Sequence, residues 1–167
     1  MIEGKDILWQ TRLLAGDSAK AKYSDYEVFS AVNTAVDILC EYLRKYFSPE
    51  LLRSAALEPE DGTCALPENF LYLEEASADS CRIEGDSIVC DAGETDIGMT
   101  YGKHPGRVMK DDDSLDLAAG FTYDLAYGAA SLLRGETDAA EERLKKAAYE
   151  KAPDKRGAIP DEGMWPA

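Results

Sequence analysis

The chain has 167 residues, 45% hydrophobic and 31% charged, with 18 Lys and Arg against 33 Asp and Glu for a net charge of −15. That length suits one domain able to bury roughly 70% of its unfolded surface without staples, and the composition excludes a disordered chain. The acidic balance disfavours adhesion to nucleic-acid phosphates and sequence-specific DNA reading, and it suits solubility, a basic partner, or a surface past which DNA slides without sticking.

Residues Lys5–Ala15 carry Ile7, Leu8, Leu13 and Leu14, with Trp9 on a flank, at the spacing of a short amphipathic helix ended by Gly16-Asp17. Ser24-Asp25-Tyr26-Glu27 is a capping box, in which hydroxyl and carboxylate satisfy reciprocal backbone N–H groups. It opens a second helix over 24–47, whose apolar stripe is Val28, Val32, Ala35, Val36, Leu39, Cys40, Leu43 and Phe47. Ser48-Pro49 is expected to stop it, because the residue before proline avoids helical geometry. Leu51 to Gly62 reads as a short helical turn and then a loop.

From Thr63 the period changes to two. Ala65–Ala76, Cys81–Ile83, Ile88–Cys90 and Asp96–Tyr101 read as three or four short antiparallel strands within a β-insert of about 63–109. Gly85-Asp86 is a two-residue hairpin turn that sets Ile83 opposite Ile88 and Cys81 opposite Cys90. Gly98 and Gly102 mark bulges or close backbone approach. The four cysteines, Cys40, Cys64, Cys81 and Cys90, are expected to be free thiols, since the acidic start Met1-Ile2-Glu3-Gly4-Lys5-Asp6 lacks the basic patch of an export signal. A Cys81–Cys90 cross-strand disulfide is the alternative. No run of 18 apolar residues is present, so no membrane span is expected.

A third helix over 115–134 follows, with Leu117, Phe121, Leu125, Ala129 and Leu132 on one face and many small residues that let a neighbour approach. Arg134-Gly135 ends it. Thr137 is expected to cap a fourth helix over 137–152, acidic early and basic late as the macrodipole favours. Residues 153–167 form a tail rich in Pro, Gly and charge, ending Gly163-Met164-Trp165-Pro166-Ala167. The fold class expected is mainly α (α+β): a helical bundle in one domain, 1–152, with a small antiparallel sheet inserted between N-terminal and C-terminal helices.

Residues able to do chemistry are few. His104, the one histidine, sits in the Gly-flanked loop Gly102-Lys103-His104-Pro105-Gly106 and is expected to face solvent. Asp111-Asp112-Asp113 lacks the alternation that turns successive carboxylates onto a cation and reads as a solvated turn. Glu74-Glu75 and Glu141-Glu142 are adjacent pairs whose members point apart, which does not suit paired-carboxylate catalysis. The cysteines lack metal spacing. No enzyme activity, cofactor or metal is expected. Met164-Trp165 is an apolar tip on a polar tail, which folds back on its own domain or docks on a neighbouring subunit or partner.

Ala65-Leu66-Pro67-Glu68-Asn69-Phe70-Leu71, Arg82-Ile83-Glu84-Gly85-Asp86-Ser87-Ile88, Ile97-Gly98-Met99-Thr100-Tyr101 with Pro105, and Asp112-Asp113-Ser114-Leu115-Asp116-Leu117 stand in this order after the capped helix. In this the chain resembles the adaptor, or head-completion, proteins that join portal to tail in tailed bacteriophages and prophages, a group that includes the tail-tubular-A-like proteins. Here Leu117-Ala118-Ala119 stands where family members often carry an aromatic-proline start to the third helix.

The resemblance implies a structural protein of the virion neck, made in the host cytoplasm. It implies self-association into a ring on the portal protein, commonly a dodecamer, which extends the DNA channel and receives the next neck or tail protein. It also implies a C-terminal segment that reaches the portal, a use for Met164 and Trp165. The rival readings are a non-viral acidic module that binds a basic partner, and a small hydrolase built on His104.

Overall fold

The computed structural model describes residues 1–78, 80–91 and 96–152. Helix α2 (Asp25–Lys45) is the longest helix and packs against each of the other described α-helices. Its capping box forms as the sequence requires: Glu27 N–H donates to Ser24 Oγ at 3.2 Å, and Ser24 N–H donates to Glu27 Oε2 at 2.8 Å. Val28, Val32, Val36, Leu39 and Leu43 on its inner face are fully buried against α1 (Gly4–Leu14), α3 (Thr122–Leu133) and α4 (Thr137–Glu150). With the insert described below, the described residues form an α+β protein of four α-helices and small antiparallel sheets.

The first three helices end in the same way. Gly16, Phe47 and Gly135 take positive φ (71°, 54° and 77°), and the next N–H reaches back five residues, from Asp17 to Arg12, Ser48 to Leu43 and Glu136 to Ser131. Glycine adopts this conformation freely, whereas Phe47 does so at a steric cost of roughly 1–2 kcal/mol. The left-handed turn therefore ends α2 before Ser48-Pro49 is reached. It also swings Phe47 out of the buried stripe in which the periodicity had placed it, leaving the residue 59% exposed.

The β-region begins earlier than the alternation suggested. After a 3-10 turn at Pro49–Leu51 comes strand β2 (Leu52–Leu57), where the sequence reads as helical turn and loop. It pairs along its length with β7 (Ile97–Lys103), which also pairs with β4 (Phe70–Ala76), giving a sheet of order β2-β7-β4. Central β7 supplies the hydrogen bonds that override the helix-leaning composition of Leu-Arg-Ser-Ala-Ala-Leu.

A second sheet, order β3-β6-β5, joins Thr63–Ala65, Ser87–Val89 and Arg82–Glu84. Ile88, Cys90 and Ile97 form a small core of their own beneath these strands, separate from the helical core. Among the described residues the region thus holds two three-stranded sheets in place of a single sheet of three or four strands. Gly102 marks close approach, since a Cβ there would lie 2.1 Å from the Tyr72 ring. The bulges fall on β4, between Phe70 and Tyr72 and between Leu73 and Glu75, and Gly98 makes only ordinary contact with Ser77.

The Gly85-Asp86 hairpin forms in the expected register, Glu84 opposite Ser87 and Ile83 opposite Ile88. Two steps further, past the Arg82–Val89 pair, Cys81 and Cys90 are joined by a disulfide, which corrects the free-thiol reading for that pair; Cys40 and Cys64 remain free. The hairpin brings the two Cα atoms to 4.2 Å, so the turn itself positions the thiols. Titration of the protein denatured without reductant is expected to count two thiols, and four after reduction. Four in the unreduced sample would contradict the bond.

The start of the third helix also departs from expectation. Ser114–Leu115 is a short strand, β8, paired with β1 (Ile2–Glu3), and Ala119–Phe121 is a 3-10 turn, so α3 begins only at Thr122. The backbone before Thr122 is engaged elsewhere: Ala118 N–H donates to the Glu50 carboxylate, and Arg53 pairs with Asp116 at 2.9 Å. Helix α4 starts at Thr137 without a side-chain cap, because Thr137 is its first helical residue and Glu136 precedes it.

Buried Asn33 ties the 104–110 loop to α2. Its Nδ2 donates to Val108 O at 3.0 Å and its Oδ1 accepts from Val108 N–H at 2.8 Å, so one amide serves both backbone groups of Val108. Asn33→Leu strands both in an apolar setting and is expected to destabilise by ~2–3 kcal/mol. Urea unfolding followed by circular dichroism measures this, and a loss below ~0.5 kcal/mol would mean that the loop does not depend on this clasp.

Candidate interaction surfaces

His104 follows β7 in a loop held by its own N–H donating to Asn69 O at 2.8 Å. Its imidazole is only 14% exposed, which corrects the solvent-facing expectation. Nδ1 accepts the Gly106 N–H at 3.1 Å, so in the neutral ring the proton resides on Nε2, which lies 3.0 Å from Asp37 Oδ1. Arg107 approaches both oxygens of the same carboxylate at 3.1 and 3.2 Å.

A general base needs a free ring nitrogen within reach of the proton it removes. Both nitrogens of His104 are engaged. Cys40, one turn beyond Asp37 on α2, is a nearby nucleophile type, but its thiol is pushed up to about 12, chiefly by burial and further by the Asp37 charge. It is therefore protonated and unreactive at neutral pH. The cluster acts as a second clasp, beside Asn33, between the loop and α2.

The acidic groups also have structural duties. Asp113 Oδ2 accepts N–H bonds from Met109 and Lys110, at 2.7 and 3.0 Å. The carbonyls of Asp113 and Asp111 receive the first N–H groups of α1, from Gly4 and Lys5, at 2.7 and 3.0 Å. The triple-Asp loop thus caps α1, whose Glu3 makes no side-chain cap. Among the described residues no cluster of His, Cys, Asp or Glu could hold a metal ion, and no helix is long and apolar enough to cross a membrane.

Glu74 lies at a bulge of β4, between Leu73 and Glu75. Glu141 accepts a hydrogen bond from the Tyr42 hydroxyl, which holds that phenol's pKa at about 12.

Among the described residues, sequence periodicity did not isolate the following two apolar surface features. On α1, Trp9 and Leu13 stand one turn apart, 64% and 51% exposed. At the far end of α2 lies an open groove of about 780 Å³, walled by Phe47, Pro49, Leu52, Tyr72 and Leu73. Arg44 lies over the Tyr72 ring at 4.8 Å, joining the last turn of α2 to β4. No family model matches this chain, and no curated protein matches it.

The reading of Met164 and Trp165 as partner-binding residues falls outside the described residues. Signals for the groove were present in sequence but weak. Phe47 stood where the helical period ran out, and Tyr72 stood in a strand next to a glycine-bearing one.

Proposed function

We propose that the chain is a structural head–tail connector subunit of a tailed phage or prophage, acting by assembly and without catalysis. In this reading it forms a ring, commonly of twelve copies, below the portal protein, extends the DNA channel, and receives the next neck or tail protein. Its place would be the virion neck, reached from the host cytoplasm.

The observation that carries the proposal is the β-region with its own small core, set in sequence between two helical pairs that share one bundle core. This is the arrangement the adaptor resemblance leads one to expect. The net charge of −15 adds support, since DNA passing an acidic wall is not retained. The engagement of both His104 nitrogens weighs against the hydrolase rival.

The test is co-expression with a portal protein encoded beside this gene, followed by light scattering and electron microscopy of the purified complex. A closed ring of this chain seated on the portal is expected. A stable one-to-one complex with a basic protein, with no binding to the portal, would replace the connector with the acidic-module reading.

A further inference from the structure

We propose that the groove at the end of α2 is the docking site for this chain's own Met164–Trp165 segment. The groove is built to receive an apolar side chain. Phe47, turned outward by its left-handed backbone, forms one wall, and Tyr72 and Leu73 from bulged β4 form another. A volume of about 780 Å³ lies within the range of sites that take a small organic group.

The tail starts beside this groove. Helix α4 runs alongside α2, and the Tyr149 ring meets Tyr46 edge-on at 5.6 Å, so the end of α4 stands next to the residue that precedes Phe47. About 13 residues separate Ala152 from Trp165, which reach at most ~45 Å when extended and span ~20 Å as a flexible coil. A segment tethered this closely has an effective concentration of order millimolar at the groove, so a weak contact suffices to hold it.

The charges match in both signs. Arg44 and Lys45 on the groove complement Asp161-Glu162, just before the apolar tip. Glu41 and Glu74 complement Lys155-Arg156 near the start of the tail. Docking of this kind goes beyond the connector reading and does not depend on it.

The chain has two tryptophans, and Trp9 is 64% exposed, so Trp9→Phe leaves the full chain folded with Trp165 as its only indole. In that protein Trp165 emission is expected to be blue-shifted from N-acetyltryptophanamide and several-fold less quenched by acrylamide, independently of protein concentration. Adding Phe47→Gly, which puts the preferred residue at the left-handed position and removes one wall, is expected to return emission and quenching to those of the free indole. Leu73→Asp is expected to do the same with the far-ultraviolet circular dichroism unchanged.

Quenching equal to the free indole in the Trp9→Phe chain would overturn the proposal. So would a blue shift that survives both groove substitutions. A shift that grows with concentration, together with doubled mass by light scattering, would assign the groove to a second copy instead and overturn it as well.

Discussion

Arg12→Ala is expected to lower the melting temperature by roughly 10 °C or more, because it breaks a buried ion pair from one side. Arg12 is 6% exposed and Asp17 is 3% exposed. The guanidinium donates through Nη1 to Asp17 Oδ2 at 2.5 Å and to Tyr23 O at 3.0 Å, and through Nη2 to Asp25 Oδ1 at 2.5 Å. Removing it leaves the Asp17 charge in a place water does not reach and deprives Tyr23 O of its donor. Through Asp17, Tyr23 and Asp25 this one group ties the end of α1 to the segment that leads into α2.

Arg12→Lys keeps the charge but cannot fork to three acceptors, so an intermediate loss is expected. Thermal melts by circular dichroism measure both variants. A change of less than about 2 °C in Arg12→Ala would show that the pair contributes nothing net.

The same site gives stability an acid limit. Asp17 accepts N–H bonds from Ala21, Lys22 and Tyr23 at 2.8, 2.7 and 3.2 Å. These bonds, that from Lys22 foremost, with the Arg12 charge beside them, hold its carboxyl below the ordinary carboxylate value. A folded-state pKa below the unfolded one contributes stability that is complete above the unfolded pKa and is lost as pH falls through the folded one. Stability is therefore expected to drop on acidification below about pH 4. The drop should be shallower in Asp17→Asn, which has no proton to take up.

Where local chemistry and burial agreed, the structure was legible in advance. The Ser24–Glu27 box and the stripe from Val28 to Leu43 fixed α2 to within two residues, because cap, period and core all demanded the same helix. The Gly85-Asp86 hairpin was legible for a similar reason. Gly85 has φ of +60° while Asp86 does not take positive φ, the geometry of a type II′ turn, and the flanking register follows from it.

What could not be read were elements whose cause lies far along the chain. Strand β2 has no β-branched residue and is a strand because β7, some 40 residues on, offers a ladder. Strands β1 and β8 are two residues each and exist only as a pair across more than 100 residues. The groove wall and the His104 cluster were hidden for different reasons. A period of 3.6 places Phe47 inside, and only the turn that ends α2 puts it outside. His104 has nothing beside it in sequence that announces Asp37, because that carboxylate arrives from α2.

The small residues of the third helix, by contrast, announced a close neighbour, and Leu144 is that neighbour. Leu144→Ala is expected to cost about 3–5 kcal/mol, since the side chain is fully buried between α3 and α4 and its loss leaves a cavity. Gly128 lies directly opposite: a Cβ there would stand 2.9 Å from Leu144 Cδ1 and 3.0 Å from its Cγ. In the parent protein Gly128→Ala is a contest between roughly 1 kcal/mol of helix propensity gained and crowding of a leucine with no room to move.

In the Leu144→Ala background the crowding is gone, and the new methyl occupies part of the vacated space. Gly128→Ala should then restore about 1 kcal/mol or more, a coupling measurable by a double-mutant cycle in urea. Strict additivity within ~0.5 kcal/mol would mean that the two positions do not touch, and that α3 and α4 pack by some other contact.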